Sequence, residues 1–211
     1  MRALTEAGGD FYIRHASNDS LGSRLSPEQR RAQIVEIAAE HFSRDGAAGA
    51  SMSRIAVAAG VTRALVYHYF PGKEALLEAV LEREASRVLL ATAPDPTMSQ
   101  RQNIERALTA FFDHFAASSG SLRELYMPTA ATAQTTKVLA AANHRVQIER
   151  LLTATGTDDT AEARIALGGW LALVEYTARS AVDATDVSRE RLLAICLSAL
   201  ESVLGRPLST I

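Results

Sequence analysis

"SMSRIAVAAGVTRALVYHYFPGKEALLEAV", residues 51–80, decides how the rest of the chain is read. Ser51 stands where a helix start wants a capping oxygen, Ile55 and Ala58-Ala59 follow at helical spacing, and Gly60 ends that short helix. Thr62 caps the next one, which stops before Pro71-Gly72, and Lys73 opens a longer helix carrying Leu76, Leu77, Val80, Leu81 and Val88 on its apolar side. The helix between Thr62 and Pro71 divides into two faces. Leu65, Val66, Tyr69 and Phe70 supply the packing side, whereas Arg63, Ala64, Tyr67 and His68 fall at i, i+1, i+4 and i+5 and make one outward patch.

Upstream, Ser26-Pro27-Glu28-Gln29 is a start signal: a capping serine, a proline suited to the first helical position and a glutamine that completes a capping box. Ile34, Ile37, Ala38 and Phe42 continue as an apolar stripe that ends near Asp45-Gly46. Three short helices with a tight glycine turn between the second and third are the outline of a helix-turn-helix DNA reader. Its third helix enters the major groove. There Arg63 matches guanine O6 and N7, Ala64 permits close approach, and Tyr67 meets a thymine methyl or a phosphate oxygen. Thr62 offers a hydroxyl and a backbone N–H to phosphate, and Lys73 at the next helix start favours an anion. The charge distribution agrees weakly. Residues 26–73 hold six basic and four acidic groups although the whole chain carries −2.

Residues 51–80 resemble the signature of the TetR family of bacterial transcriptional regulators: Ile-Ala in the second helix, Ala-Gly-Val before the recognition helix, a Tyr-aromatic-Tyr-Phe ending, and Lys-Glu-x-Leu opening the fourth helix. The resemblance runs from Arg30 to Val80. Beyond it the chain is similar only in outline, with "GGWLALVEY" (168–176) like a sequence of the family's penultimate helix. It implies an all-α protein in which residues 26–93 form a helix-turn-helix DNA-binding domain with its connecting helix and residues 97–205 a ligand-binding and dimerisation bundle. Ser51, Thr62, Arg63, Tyr67, His68, Tyr69 and Lys73 carry over as DNA contacts, and Ala64 joins them on the outward patch. Two positions depart from the family's habit: Ser53 replaces a longer polar or basic residue, and Leu65 a small or hydroxylated one. The implied protein is a homodimeric repressor, released from a palindromic double-stranded DNA operator by an unidentified small-molecule effector. A transcriptional activator and a helical interaction module without DNA binding are the alternatives.

The remainder reads as helix. Residues 1–25 show no sustained period and are expected to be a flexible arm, neutral overall. "TAPDPTMS" (92–99) marks a break, after which Ile104, Leu108, Phe111, Phe112 and Phe115 share one face. Residues 122–155 suggest a short and a longer helix around Pro128. The last two helices, near 159–184 and 188–204, are apolar on more than one face, which points to a partner subunit as well as their own core. The lone Cys196 lies in such an apolar pattern and reads as a buried thiol. Phe111, Phe112, Phe115, Tyr126, Met127, Trp170 and Tyr176 are candidates to line an apolar cavity, with His114, Arg123, His144 and Glu175 to orient a polar group, but no ligand residue can be assigned. The histidines at 15, 41, 68, 114 and 144 have no metal-binding spacing, and neither a phosphate loop nor a nucleophile elbow is present. No enzyme, cofactor or metal is therefore expected. With no convincing membrane span or signal peptide, the expected location is the cytoplasm.

Overall fold

A reciprocal capping box starts the first helix. The Ser26 hydroxyl accepts the Gln29 backbone N–H at 3.2 Å, the Gln29 side chain accepts the Ser26 N–H at 2.8 Å, and Pro27 occupies the first turn. The computed structural model describes residues 25–117, 133–183 and 186–210, and within them the chain is all helical. The eight helices are α1 (Pro27–Gly49), α2 (Met52–Ala58), α3 (Arg63–Tyr69), α4 (Lys73–Ala91), α5 (Gln100–Ala117), α6 (Ala133–Thr155), α7 (Ala161–Asp183) and α8 (Arg189–Leu204). The expected arm and the short helix around Pro128 lie outside the described residues. α1 is interrupted at Gly46, whose φ of 69° breaks the helix where the apolar stripe ends.

Packing begins with α1, α2 and α3 and passes into the rest of the molecule through α4, which lies against α1, α5 and α6. Ile34, Ile55, Val66, Leu76 and Val80 are fully buried, and each contributes about 1.5–3 kcal/mol by leaving water. Phe70, just past α3, is 2% exposed and anchors the recognition helix. Toward its C-terminal end α4 is held by α6: Arg150 donates to the Leu89 carbonyl at 2.6 Å and Gln147 to the Thr92 hydroxyl at 2.8 Å. The expected α5 face is buried as a set, comprising Ile104, Leu108, Phe111, Phe112 and Phe115.

α7 and α8 pack on each other, and α5 lies against both. The Trp170 indole N–H donates to the Cys196 carbonyl at 2.8 Å and fixes the ring between the two helices. Cys196 is fully buried, and that burial pushes its thiol pKa up, so it stays protonated and inert. The chain beyond α8 folds back onto α5: Arg101 donates its backbone N–H to the Ser209 carbonyl at 2.9 Å, and Leu208 is buried. Among the described residues no helix is long and apolar enough to cross a membrane.

Candidate nucleic-acid interface

The turn that aims α3 depends on Gly60. Its φ of 63° is left-handed, and this lets the Val61 N–H reach the Ala56 carbonyl at 3.0 Å while the Gly60 N–H reaches Val57 at 3.1 Å. That pair of bonds is a Schellman ending, which satisfies the last carbonyls of α2 and turns the chain at once. Thr62 then accepts the Leu65 N–H at 3.2 Å and caps α3 as its position predicts. Ser51 differs. It occupies the cap position of α2 but makes no side-chain cap bond; its backbone carbonyl accepts the Ile55 N–H instead.

The two faces of α3 separate as the spacing predicts. Val66 is buried and Tyr69 half-buried against the core, whereas Arg63, Ala64, Tyr67 and His68 are exposed. Leu65, of undecided role in the sequence, is half-buried. Arg63 and Tyr67 are prepared as a unit: the guanidinium sits 5.2 Å from the ring centroid and donates to the phenol oxygen at 3.3 Å. The His68 ring meets Tyr69 edge-on at 5.5 Å. Lys73, expected to offer its charge to an anion, donates to the Ala48 carbonyl at 3.0 Å. An ammonium has three donors, so one bond positions it beside the end of α1 and leaves two for another acceptor.

Sequence reading passed over Arg54, on α2. It donates to the Gly49 carbonyl and pairs with Asp45, each at 3.0 Å, which joins α2 to the end of α1. Nothing in the local spacing signals that contact, because the kink at Gly46 creates it. Asp45 is held below the usual carboxylate range by its hydrogen bond with Arg44 and by the nearby Arg54 charge.

Behind α4, helices α4 to α7 line a partly open cavity of about 70 Å³. Phe111 and Trp170 line it as anticipated, joined by Val88, Ile104, Leu108 and Val174. The His144 and Glu175 side chains meet at its polar end, and that hydrogen bond raises the His144 pKa against the opposing effect of burial. The other described candidates lie elsewhere. Phe115 is in the core, Tyr176 is 61% exposed with Arg179 over its ring, and His114 stands 3.2 Å from Glu84. Arg123, Tyr126 and Met127 are outside the described residues. Thr92, Ala107, Gln147, Leu151 and Leu171 complete the wall and had no sequence signal, since a cavity among four helices has no linear spacing.

Residues 34–80 match the family "Bacterial regulatory proteins, tetR family", and the curated relatives extend that match. The HTH-type transcriptional activator FasR of Mycolicibacterium smegmatis is 33% identical over 115 residues, covering 54% of this chain and 52% of the relative. An HTH-type transcriptional repressor of Streptomyces coelicolor is 34% identical over 100 residues, covering 47% and 50%. A crystal structure of a TetR-family regulator from Streptomyces coelicolor superposes with a TM-score of 0.75 at 26% identity, over 86% of this chain and 84% of the other.

Residues 34–80 are thus a TetR-family DNA-binding region, and the described chain shares its fold with a TetR-family regulator. The chain spans about half the length of the curated relatives it matches. The family consists of DNA-binding transcriptional regulators, which are not enzymes and which bind DNA operators and small-molecule effectors; activators and repressors both stand among the relatives. FadR of Bacillus subtilis, solved with stearoyl-CoA, shares the fold at a TM-score of 0.63 and 19% identity, covering 85% of this chain and 98% of that one. At that identity the likeness to FadR is one of fold alone.

Proposed function

We propose that this TetR-family protein is a cytoplasmic, dimeric repressor that binds a palindromic operator through α3 and leaves it when a small molecule enters the bundle. Residues 26–93 act as the DNA-binding unit and residues 97–205 as the effector and dimer unit. The observation that carries the reading is the exposed Arg63-Ala64-Tyr67-His68 face, held rigid by the Gly60 turn and by Val66 and Phe70 beneath it. Thr62 and Lys73 flank that face and serve phosphates, Ser51 contributes a hydroxyl from the start of α2, and Tyr69 supports the helix from its half-buried side.

Pairing through α7 and α8 is supported by apolar groups left on their outer side. Ile165 is 77% exposed, Tyr176 61% and Ile195 42%. Ile165, Gly169, Ala172 and Tyr176 recur at helical spacing, a narrow stripe against which the same helices of a second copy can pack. Two copies then present two α3 helices to successive half-sites.

Selection of bound fragments from random DNA tests the reading, with Arg63→Ala and Lys73→Ala compared on the selected site. Arg63→Ala is expected to cost ~1–3 kcal/mol and to relax preference at one base position. Lys73→Ala weakens all sequences alike and lowers the salt slope by about one. Enrichment of no site, or loss of affinity on every sequence equally for Arg63→Ala, refutes base reading by α3.

A further inference from the structure

We infer that the cavity between α4, α5, α6 and α7 admits a compact, uncharged, largely apolar molecule of single-ring size with at most one hydrogen-bonding group, and rejects anions of the same shape. This rests on the reading that the bundle takes the effector, and it names the effector's chemistry. Size comes first. About 70 Å³ is roughly half of the ~150 Å³ that holds benzene in an engineered apolar cavity, so one ring enters only as the wall yields and an extended chain does not. Leu171 is a half-buried apolar lining residue, with solvent on one side into which its side chain can yield.

Polarity decides the rest. Among the described lining residues there is no lysine or arginine. The two ionisable groups, His144 and Glu175, are already hydrogen-bonded to each other and cancel in charge. Gln147 is engaged with Thr92, whose hydroxyl in turn donates to the Val88 carbonyl at 2.7 Å. The Trp170 N–H is spent on Cys196. A carboxylate entering this space would lose its water, face the Glu175 carboxylate and, among the described residues, find no uncompensated cation. A cation would meet a His144 proton that Glu175 already holds. A neutral ring loses little water and gains contact with Phe111, Leu108 and Trp170.

Trp170 is the only tryptophan in the chain and lines the cavity, so its fluorescence reports binding in the intact protein without DNA. The probes are benzyl alcohol, benzoate and benzylammonium, which share a ring and differ in charge. Benzyl alcohol is expected to give a saturable change, with both ions at least about tenfold weaker. Ala107→Phe, which fills the cavity from α5, should abolish the response while circular dichroism shows the helices retained. Glu175→Gln removes the carboxylate that faces an entering anion and should raise benzoate affinity relative to the alcohol. Equal binding of either ion, no saturable response to the alcohol, or a response that survives in folded Ala107→Phe overturns the inference. If Ala107→Phe does not fold, unchanged anion discrimination in Glu175→Gln does so alone. Operator binding is measured separately: a ring that binds without altering it leaves the inference standing and refutes the regulatory reading, whereas release by other compounds with no ring binding refutes only the inference.

Discussion

On α3, Arg63 lies over Tyr67 in solvent; behind α4, His144 is tied to Glu175 at the edge of an apolar cavity. Both are pairs of a cation and a polar or acidic partner on helices, yet they sit under opposite constraints. The outer pair is cheap to rearrange, because water can replace either partner while Arg63 turns to a base. The inner pair reaches solvent only in part, so losing a partner costs more there, and each group is already satisfied by the other. On the proposed function, the helix-turn-helix head reads by offering groups, and the bundle selects by what it withholds.

The sharpest attack on this division is Phe70→Ala. The side chain is 2% exposed beneath α3, and its truncation should cost about 3–5 kcal/mol. Because α4 packs on both α1 and α6, the loss is expected to lower the denaturant midpoint seen by Trp170 as well as to abolish operator binding. A Trp170 midpoint left unchanged would show that head and bundle unfold separately.

A smaller effect is expected at the joint between the regions. Glu84 on α4, 3% exposed, contacts Arg83, lies 3.8 Å from Arg87, and meets His114 of α5; Arg83 and Arg87 both reach Glu36 of α1. Burial alone would raise the Glu84 pKa, but His114 and the two arginines outweigh it and hold the carboxyl below its ordinary value. Glu84→Gln should cost about 1–3 kcal/mol at neutral pH, less than a wholly buried pair because the arginines reach solvent. A carboxyl whose folded pKa is depressed stabilises above its unfolded value and loses that contribution as pH falls through the folded one. The wild type should therefore lose stability below the ordinary value of 4.5 by a step that Glu84→Gln lacks, as acid unfolding curves would report. Coincident acid limbs would remove Glu84 from the joint.

The head was legible because its chemistry is local. Ser26 and Gln29, Gly60, and the i, i+4 relation of Arg63 to Tyr67 all act within one turn, so spacing determines geometry. Even there the long-range contacts escaped: Lys73 to Ala48 and Arg54 to Asp45 depend on where the Gly46 kink returns the chain. The bundle helices were legible as elements, from their apolar stripes, but their partners were not. Phe111 and Phe115 lie on one stripe, and only the first faces the cavity. His114 and His144 looked equivalent in sequence; tertiary packing gave one a joint and the other the cavity's polar end.

The smallest expected effect probes that polar end directly. The His144 pKa is raised above 6.5, first by the hydrogen bond to Glu175 and then by its charge, against the effect of burial. A group with a raised folded pKa contributes fully below its unfolded value and loses the contribution as pH climbs through the folded one. Wild-type unfolding free energy should thus decline across the range above 6.5, relative to His144→Gln, by well under ~1 kcal/mol because both side chains reach solvent in part. The same decline should vanish in Glu175→Gln, which removes the cause of the shift. A persisting decline in that variant would mean another group holds the His144 proton. The cavity would then carry a cation that Glu175 does not cancel, and the contrast with the open, exchangeable pair on α3 would narrow.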